Sequence, residues 1–221
     1  MPASNVLVSI NWFGHASFML SDGGSRIYYL DPHEFSKLPS YEKADVILIT
    51  HAHFDHCDPD VVKKILKPGT VIAVPAGCRE KLNITAEFVD VVPNGSYEIK
   101  GFRFRTVPAY NTNPEKLQFH PKGNGWVGYI FSVNNQTIYH AGDTDFIEEM
   151  KSLGKINVAL LPMGDTYVMG PDEAIRAANA IKADMTIPMH YRRLLKEKYP
   201  EAEEKFRAGV NGRVVILEEV A

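Results

Sequence analysis

Short runs of β-branched, aromatic and aliphatic residues recur along the chain, separated by clusters of glycine, proline and polar residues. Such runs predict β-strands, because these side chains pack well on a pleated, half-buried surface. Strands are predicted over residues 6–12, 26–30, 46–50, 71–74, 102–107, 127–133, 137–139, 158–161, 185–187 and 214–217.

Helix signals lie between some of these runs. Asp58 followed by Pro59 is an N-cap and first-turn pair, and Pro68-Gly69 ends the helix that this pair begins. Because strands come first in runs and then alternate with helices, the order predicts packed sheets with helices outside them. Helices are predicted over residues 58–66, 146–153, 171–181 and 201–206.

The two halves of the chain resemble each other. In each half, one predicted strand ends at an acidic residue and an apolar strand follows it, and polar residues cluster after the end of each strand. Two similar halves with loops at the same edge would bring these clusters together across a shared cleft. The alternative is a chance likeness between strand-turn sequences. The matching segments are 25–31 with 136–143, 46–50 with 158–161, and Lys43-Ala44-Asp45 with Lys182-Ala183-Asp184.

The composition is that of an ordinary globular protein, with 45% hydrophobic and 23% charged residues among 221. A single hydrophobic core is sustainable up to about 250 residues, so we expect one domain over residues 1–221. The net charge of -3 provides no basic field to concentrate a polyanion. We therefore expect a small-molecule substrate rather than a nucleic-acid partner.

From the sequence we expect neither a membrane-spanning segment nor an export signal. No apolar stretch reaches the roughly 20 residues that a transmembrane helix needs, and the N-terminal residues lack a cationic region before an apolar run. Cys57 and Cys78 are too few for a disulfide framework, which favours a reducing compartment. We expect a cytoplasmic protein with no membrane partner, and the sequence is compatible with a homo-oligomer.

Three of the eight histidines fall in the segment His51-Ala52-His53-Phe54-Asp55-His56. In an extended segment the side chains of residues two apart point the same way, so His51 and His53 can coordinate one ion. The turn that follows can send Asp55 and His56 to a second position beside the first. Imidazole and carboxylate suit zinc, manganese or iron, and paired ions about 3.5 to 4 Å apart activate water in many enzymes. The alternative is a solvated loop that binds adventitious metal or none.

This segment resembles the His-x-His-x-Asp-His signature of the metallo-β-lactamase superfamily, whose α/β fold is a four-layer αββα sandwich with two pseudo-duplicated halves. The chain looks like that superfamily's branch of small hydrolases, which is related in outline to the ascorbate-phosphate lactonases and the phospholipase-D-type N-acyl-ethanolamine enzymes. The likeness runs in family order along nearly the whole chain. It extends to Trp12-Phe13-Gly14-His15, Asp31-Pro32, His140-Ala141-Gly142-Asp143-Thr144-Asp145 and Ile187-Pro188-Met189-His190-Tyr191.

The resemblance implies one or two divalent metal ions, with zinc preferred and manganese, nickel or iron as alternatives. Asp143 would bridge two cations, and His190 would complete the second site. The implied metal ligands are His51 and His53 in the first site, Asp55, His56 and His190 in the second, and Asp143 in both.

The first site departs from the family pattern. The family usually supplies a third histidine from a loop after a middle strand, and Tyr110 stands at the expected place. A tyrosine is a poor zinc ligand at neutral pH because its phenol is normally protonated. Either the first site is weak, or His120 moves in from the loop Phe119-His120-Pro121-Lys122-Gly123, or Tyr110 donates a hydrogen bond to substrate. We favour a dinuclear or partly occupied site with Tyr110 facing the substrate.

Several other residues are candidates for supporting roles. His15 either lines the active site, opposite Tyr110, or is a plain buried histidine. His140 is expected to orient Asp143, and Asp31 to accept an imidazole proton from a ligand. His33 is expected on a loop surface, and the glycine-flanked segment 163–170 is a candidate cover for the cleft.

The reaction that the resemblance implies is hydrolysis. Paired cations lower the pKa of a bound water to about 7, so hydroxide is available to attack a small ester, lactone or phosphoester. Asp55 and His190 are the expected catalytic residues, with Asp55 relaying a proton to the leaving group. No nucleophile elbow, P-loop or dinucleotide fingerprint is present. The alternatives are a nuclease or phosphodiesterase acting on RNA or nucleotides, and a non-catalytic metal-binding protein.

Overall fold

The computed structural model describes residues 8–24, 26–33 and 41–220 of the chain. A first sheet contains β1 (Ser9–Trp12), β2 (Phe18–Ser21), β3 (Ile27–Leu30), β4 (Val46–Leu48), β5 (Val71–Val74) and β6 (Glu87–Asp90), in that order. β1, β2 and β3 pair antiparallel, whereas β3, β4, β5 and β6 pair parallel. The carboxyl ends of β3 and β4 therefore meet at one edge of the sheet.

A second sheet contains β7 (Ser96–Ile99), β8 (Phe102–Pro108), β9 (Val127–Val133), β10 (Gln136–His140), β11 (Val158–Pro162), β12 (Met185–Met189) and β13 (Arg213–Val214). Its spatial order runs from β13 back to β7. β7 to β10 pair antiparallel, and β10 to β13 pair parallel.

The helices lie between and after these strands. They are α1 (Pro59–Ile65), α2 (Cys78–Leu82), α3 (Pro171–Ile181), α4 (Arg192–Leu195) and α5 (Tyr199–Gly209), with 3-10 turns at Lys122–Asn124, Glu148–Ser152 and Lys196–Lys198. In the part of the chain that the structure describes, no helix has the length and apolar character needed to span a membrane.

The two sheets share one core. Leu48 of β4 packs into the same apolar cluster as Phe131 of β9 and Leu160 of β11. Its neighbour Ile47 belongs to a second cluster with Val62 of α1, on the opposite face of the first sheet. Successive strand residues point to opposite faces, so the first sheet is buried on both sides.

Helices cover the outer face of the second sheet as well. All five residues of β11 are buried, so this strand is covered on both faces, and α3 packs against it with Ala174 and Ala177 fully buried. The layers therefore follow the order helix, sheet, sheet, helix, and the expected αββα sandwich is confirmed.

The sheet topology also supports the internal duplication. β2 to β5 and β9 to β12 each contain one antiparallel pair followed by two parallel pairs. In this correspondence β3 matches β10, and β4 matches β11, as the sequence comparison proposed. The match between residues 43–45 and residues 182–184 does not fit this correspondence. Residues 43–45 precede β4, whereas residues 182–184 precede β12, which is equivalent to β5.

Some sequence predictions of elements were wrong. The strands β2, β6 and β7 were missed, and so were the helices α2 and α4. The predicted strand over 214–217 reduces to Arg213–Val214, and the predicted helix over 146–153 is the 3-10 turn Glu148–Ser152. Residues 6 and 7 of the predicted first strand lie outside the described residues. The helix N-cap at Asp58 is confirmed, because its side chain accepts hydrogen bonds from the N–H groups of Asp60 and Val61.

Candidate metal centre

The histidine-rich segment directly follows β4, and Asp31 follows the neighbouring β3. Asp31 is fully buried and accepts hydrogen bonds from both the backbone N–H and the hydroxyl of Thr50, each at 2.7 Å. Its Oδ2 also accepts a hydrogen bond from Nδ1 of His56 at 2.7 Å. Asp31 therefore connects the ends of two neighbouring strands and leaves Nε2 of His56 directed away from it.

A first cluster contains His51, His53 and His120, with one ring nitrogen of each within 4.8 Å of the others. Nε2 of His51 lies 3.1 Å from Nδ1 of His53. His120 comes from the loop between β8 and β9 and is 1% exposed. His120 therefore lies beside His51 and His53, which is where the second of the three alternatives drawn from the sequence would place it.

A second cluster contains His15, Asp55, His56 and His190, again with donor atoms within 4.8 Å of one another. Nε2 of His15 lies 3.0 Å from Oδ2 of Asp55, and the rings of His15 and His190 are 3.6 Å apart. His15 and His190 both have positive φ values, 50° and 59°. Such strained backbone is concentrated at functional sites, where the surrounding structure holds it in place.

Asp143 lies between the two clusters. Its Oδ2 is 3.2 Å from Nε2 of His120 and 3.0 Å from Nε2 of His190, and its Oδ1 is 3.4 Å from Nε2 of His56. Nε2 of His51 is 3.9 Å from Oδ2. One carboxylate therefore contacts histidines of both clusters, which is the arrangement that a bridging ligand requires.

The turn before Asp143 depends on glycine. Gly142 has a φ of 67°, and a Cβ there would lie 3.0 Å from Cβ of Thr50. His140 supports the same turn, because its Nε2 donates to the carbonyl of Ala16 while its Nδ1 accepts from the N–H of Gly142. His140 thus acts on the backbone that carries Asp143 rather than on the carboxylate itself.

The donor atoms of this site fit a divalent cation. Nε2 of His56, Nε2 of His120, Oδ1 of Asp143 and both ring nitrogens of His190 are buried and make no hydrogen bond to the described residues. A buried polar atom without a partner costs about 1–3 kcal/mol, and several together would be expensive. A cation coordinated by these imidazoles and carboxylates would remove that cost, and this donor set suits zinc, manganese or iron.

The protonation states favour the same use. Burial lowers the pKa of His51 well below its usual value, and the charge of His56 lowers it further. Burial also lowers the pKa of His53. Burial alone would raise the pKa of Asp143, but the charges of His190 and His56 and the close approach of the His120 and His190 rings hold it well below its usual range. The neutral imidazoles of His51 and His53 and the ionised carboxylate of Asp143 are the forms that bind metal, whereas Asp143 and Asp31 raise the pKa of His56, which would release a proton on binding a cation.

Tyr110 is placed elsewhere. Its hydroxyl donates to Oε2 of Glu149 at 3.1 Å, and Nζ of Lys122 lies 4.3 Å from the centre of its ring. It is not among the described residues that line the cavity over the two clusters. The interpretation that Tyr110 faces the substrate therefore disagrees with the geometry, because its hydroxyl is held by a surface carboxylate and a lysine.

Asn111 was missed by the sequence analysis and holds His120 in position. Its Oδ1 accepts hydrogen bonds from Nδ1 of His120 at 2.9 Å and from the backbone N–H of the same residue at 3.1 Å. Its Nδ2 donates to Asp145 at 3.0 Å and to the carbonyl of Tyr167 at 2.9 Å. With Nδ1 protonated by this contact, Nε2 of His120 is left with a lone pair that points toward Asp143.

A cavity of about 460 Å³ opens over the two clusters. Tyr167, from the segment 163–170, contributes to its wall, and Gly164 lets this segment approach closely, since a Cβ there would lie 2.2 Å from the carbonyl oxygen of His190. His33, expected on a loop surface, is instead 7% exposed, and its Nδ1 lies 3.1 Å from Asp58. The cavity is lined by His15, His53, Phe54, Asp55, Phe119, His120, Asp143, Tyr167, His190, Arg193 and Leu194.

A sandwich of two sheets with paired histidine and aspartate clusters at one edge defines the class of metal-dependent hydrolases with the metallo-β-lactamase fold. Comparison with known proteins agrees with this class. Residues 9–190 match the beta-lactamase superfamily domain.

Relatives extend the match to almost the whole chain. A UPF0173 metal-dependent hydrolase of Thermoplasma acidophilum is 33% identical, and the match covers 96% of this chain and 96% of the relative. A UPF0173 metal-dependent hydrolase of Thermococcus kodakarensis is 32% identical, and the match covers 96% of this chain and 97% of the relative. The crystal structure of a proposed metal-dependent hydrolase of Parabacteroides distasonis has a TM-score of 0.81 and 30% identity, covering 97% of this chain and 94% of that one. The chain belongs to this family of metal-dependent hydrolases within the beta-lactamase superfamily.

Proposed function

We propose that this hydrolase cleaves a small ester, lactone or phosphoester and that it uses two divalent cations, with zinc preferred. The observation that carries the proposal is the position of Asp143, whose two oxygens lie within 3.4 Å of histidines from both clusters. In this proposal the first site is formed by His51, His53 and His120, the second by Asp55, His56 and His190, and Asp143 is shared.

Bound cations would supply Lewis acidity and a water whose pKa is lowered to about 7. The chain's own residues have distinct tasks around that chemistry. Asp55 is 24% exposed at its side chain and faces the cavity, so it can pass a proton from the nucleophile to the leaving group. Burial would raise the pKa of Asp55, but the hydrogen bond from His15 and the charge of His56 lower it, which keeps Asp55 ionised.

His15 acts as a positioning residue for Asp55. The backbone carbonyl of His15 accepts a hydrogen bond from the backbone N–H of His190 at 2.8 Å. His15 therefore contacts both Asp55 and His190 of the second cluster. Burial and the charge of His190 lower the pKa of His15 to about 3, so the imidazole is neutral and donates its one ring proton to Asp55.

The cavity supports a small substrate. A volume of about 460 Å³ lies within the range of roughly 300–1,000 Å³ that small-molecule sites occupy. A nuclease would need a basic surface to hold its polyanionic substrate, and the net charge of -3 argues against that alternative.

A substrate panel tests the proposal. The purified protein is stripped with chelator, reloaded separately with zinc, manganese or nickel, and assayed on 4-nitrophenyl butyrate, γ-butyrolactone and bis(4-nitrophenyl) phosphate. We expect metal-dependent turnover of at least one substrate and a loss of about 100-fold or more in kcat for Asp55→Asn, with Asp60→Asn as the exposed control. Protein that retains its metal and turns over none of the three would overturn the proposal.

A further inference from the structure

The outer part of the cavity differs in character from the histidine and aspartate clusters at its base. Phe54, Phe119, Tyr167 and Leu194 line it, and Arg193 is the one cationic side chain among the described lining residues outside those clusters. Sites for small molecules commonly combine an apolar wall with a few polar groups that fix orientation. This part of the cavity therefore has the composition of a substrate-binding wall.

The aromatic side chains are exposed to an unusual degree. Phe54 is 70% exposed and Tyr167 is 38% exposed, and both are among the few large hydrophobic residues that the described surface leaves open. Phe119 packs edge-on against Tyr167, with ring centres 4.8 Å apart. Phe54 comes from the loop after β4, whereas the other two come from loops after β8 and β11. Apolar surface presented by separate loops around one cavity is what an apolar ligand group would cover.

The two adjacent arginines of α4 have different surroundings. The guanidinium of Arg192 lies 5.0 Å from the ring of Trp12 and 5.3 Å from the ring of Tyr199, and it pairs with Glu203 and Glu218. Arg192 is therefore part of the packing. Arg193 is exposed, lines the cavity, and follows the cluster residue His190 by only three positions.

We propose that the substrate carries an apolar group of aromatic size together with an anionic group, and that Arg193 binds the anion while Phe54, Phe119 and Tyr167 contact the apolar part. The inference deepens the proposed function and rests on it. A planar guanidinium matches a carboxylate or phosphate with two parallel hydrogen bonds, which gives orientation as well as affinity. The volume of about 460 Å³ accommodates a ring and a short acidic chain beside the reacting centre.

A binding experiment tests this without relying on turnover. Calorimetric titration of the zinc-loaded protein compares 4-phenylbutyrate, its neutral amide 4-phenylbutanamide, and butyrate, which lacks the ring. We expect the wild-type protein to bind 4-phenylbutyrate about tenfold more tightly than either of the other two. Arg193→Gln should lose most of the preference for the anion over the amide, and Arg193→Lys should keep part of it because the charge remains.

Arg207→Gln is the matched control, because it removes the same charge from an exposed helix position that does not line the cavity. Phe119→Ala should weaken the binding of 4-phenylbutyrate and of its amide by similar factors, and it should leave the affinity for butyrate unchanged. If Arg193→Gln retains the wild-type preference, or if butyrate binds as tightly as 4-phenylbutyrate, the inference is wrong.

The two proposals fail in different ways. If wild-type protein shows the expected binding pattern but hydrolyses no ester, lactone or phosphoester, the proposed function fails and the binding inference stands. If the wild-type protein hydrolyses esters while Arg193→Gln binds each of the three ligands with the same affinity as Arg207→Gln, the inference fails and the proposed function stands.

Discussion

At the scale of single residues, the amide of Asn111 decides the orientation of His120. Asn111 is 2% exposed, and its one side-chain oxygen accepts two hydrogen bonds from the histidine. Groups that orient a metal ligand commonly change metal affinity by about 10- to 100-fold when they are removed. Asn111→Ala is therefore expected to lower the affinity of the first site for zinc by that factor, measured by titration against a competing chelator.

Asn113→Ala is the control for this prediction. Its side chain lies in the same loop and accepts a hydrogen bond from the N–H of Glu115, whereas the described side-chain partner of His120 is Asn111. The prediction is wrong if both variants hold zinc as tightly as the wild-type protein, or if both lose affinity equally.

Residue identities in the site could be predicted unevenly from the sequence. Six consecutive positions of the chain contain His51, His53, Asp55 and His56, so the spacing of these residues alone indicated a cation site. His120 remained one of three alternatives, because its position depends on a loop closed by Asn111 and Asp145, which are 34 positions apart. A pairing of that kind leaves no local pattern, and the substrate-facing role favoured for Tyr110 was inferred from its position in the chain only.

At the scale of elements, α1 is set by its N-terminal cap. Asp58 accepts hydrogen bonds from the N–H groups of Asp60 and Val61, and the buried face of the helix packs Val61, Val62 and Ile65 against the first sheet. We expect Asp58→Ala to lower the free energy of unfolding by about 1–2 kcal/mol in urea titration. Asp60→Ala, which removes an acid that is 84% exposed and paired with Lys63, should cost less than about 0.5 kcal/mol. Equal losses in the two variants would contradict the capping role.

The same scale explains which elements the sequence predicted. The buried strands β4, β5 and β11 are continuous apolar runs, so their composition was sufficient. β6 and β7 carry acids and a serine and are mostly exposed or half-buried, because each lies at the edge of its sheet. Their strand conformation comes from pairing with a neighbour, which a local pattern does not reveal.

At the scale of the whole molecule, the buried histidines make the metal-free protein sensitive to acid. Burial lowers the pKa of His15 to about 3, and it also lowers the pKa of His51, His53 and His140. Burial acts in the same direction on His56, but Asp143 and Asp31 outweigh it and raise that pKa.

In the unfolded chain these histidines titrate near pH 6.5. As the pH falls below about 6.5, the unfolded state therefore takes up more protons than the folded state, and the stability that the neutral histidines contribute is lost. His56 alone acts in the opposite direction. We expect the urea midpoint of chelator-treated protein to fall between about pH 7.5 and pH 5.5. A midpoint that stays constant or rises over this interval would contradict the stated protonation states.

The central claim is that one carboxylate, Asp143, joins two cation sites and that His120 rather than Tyr110 completes the first. Metal counting by mass spectrometry on dialysed, zinc-loaded protein tests it most directly. The account predicts about two zinc ions per chain for the wild-type protein and for Tyr110→Phe, and about one for His120→Ala. A His120→Ala variant that keeps the wild-type stoichiometry, or a Tyr110→Phe variant that loses an ion, would contradict it.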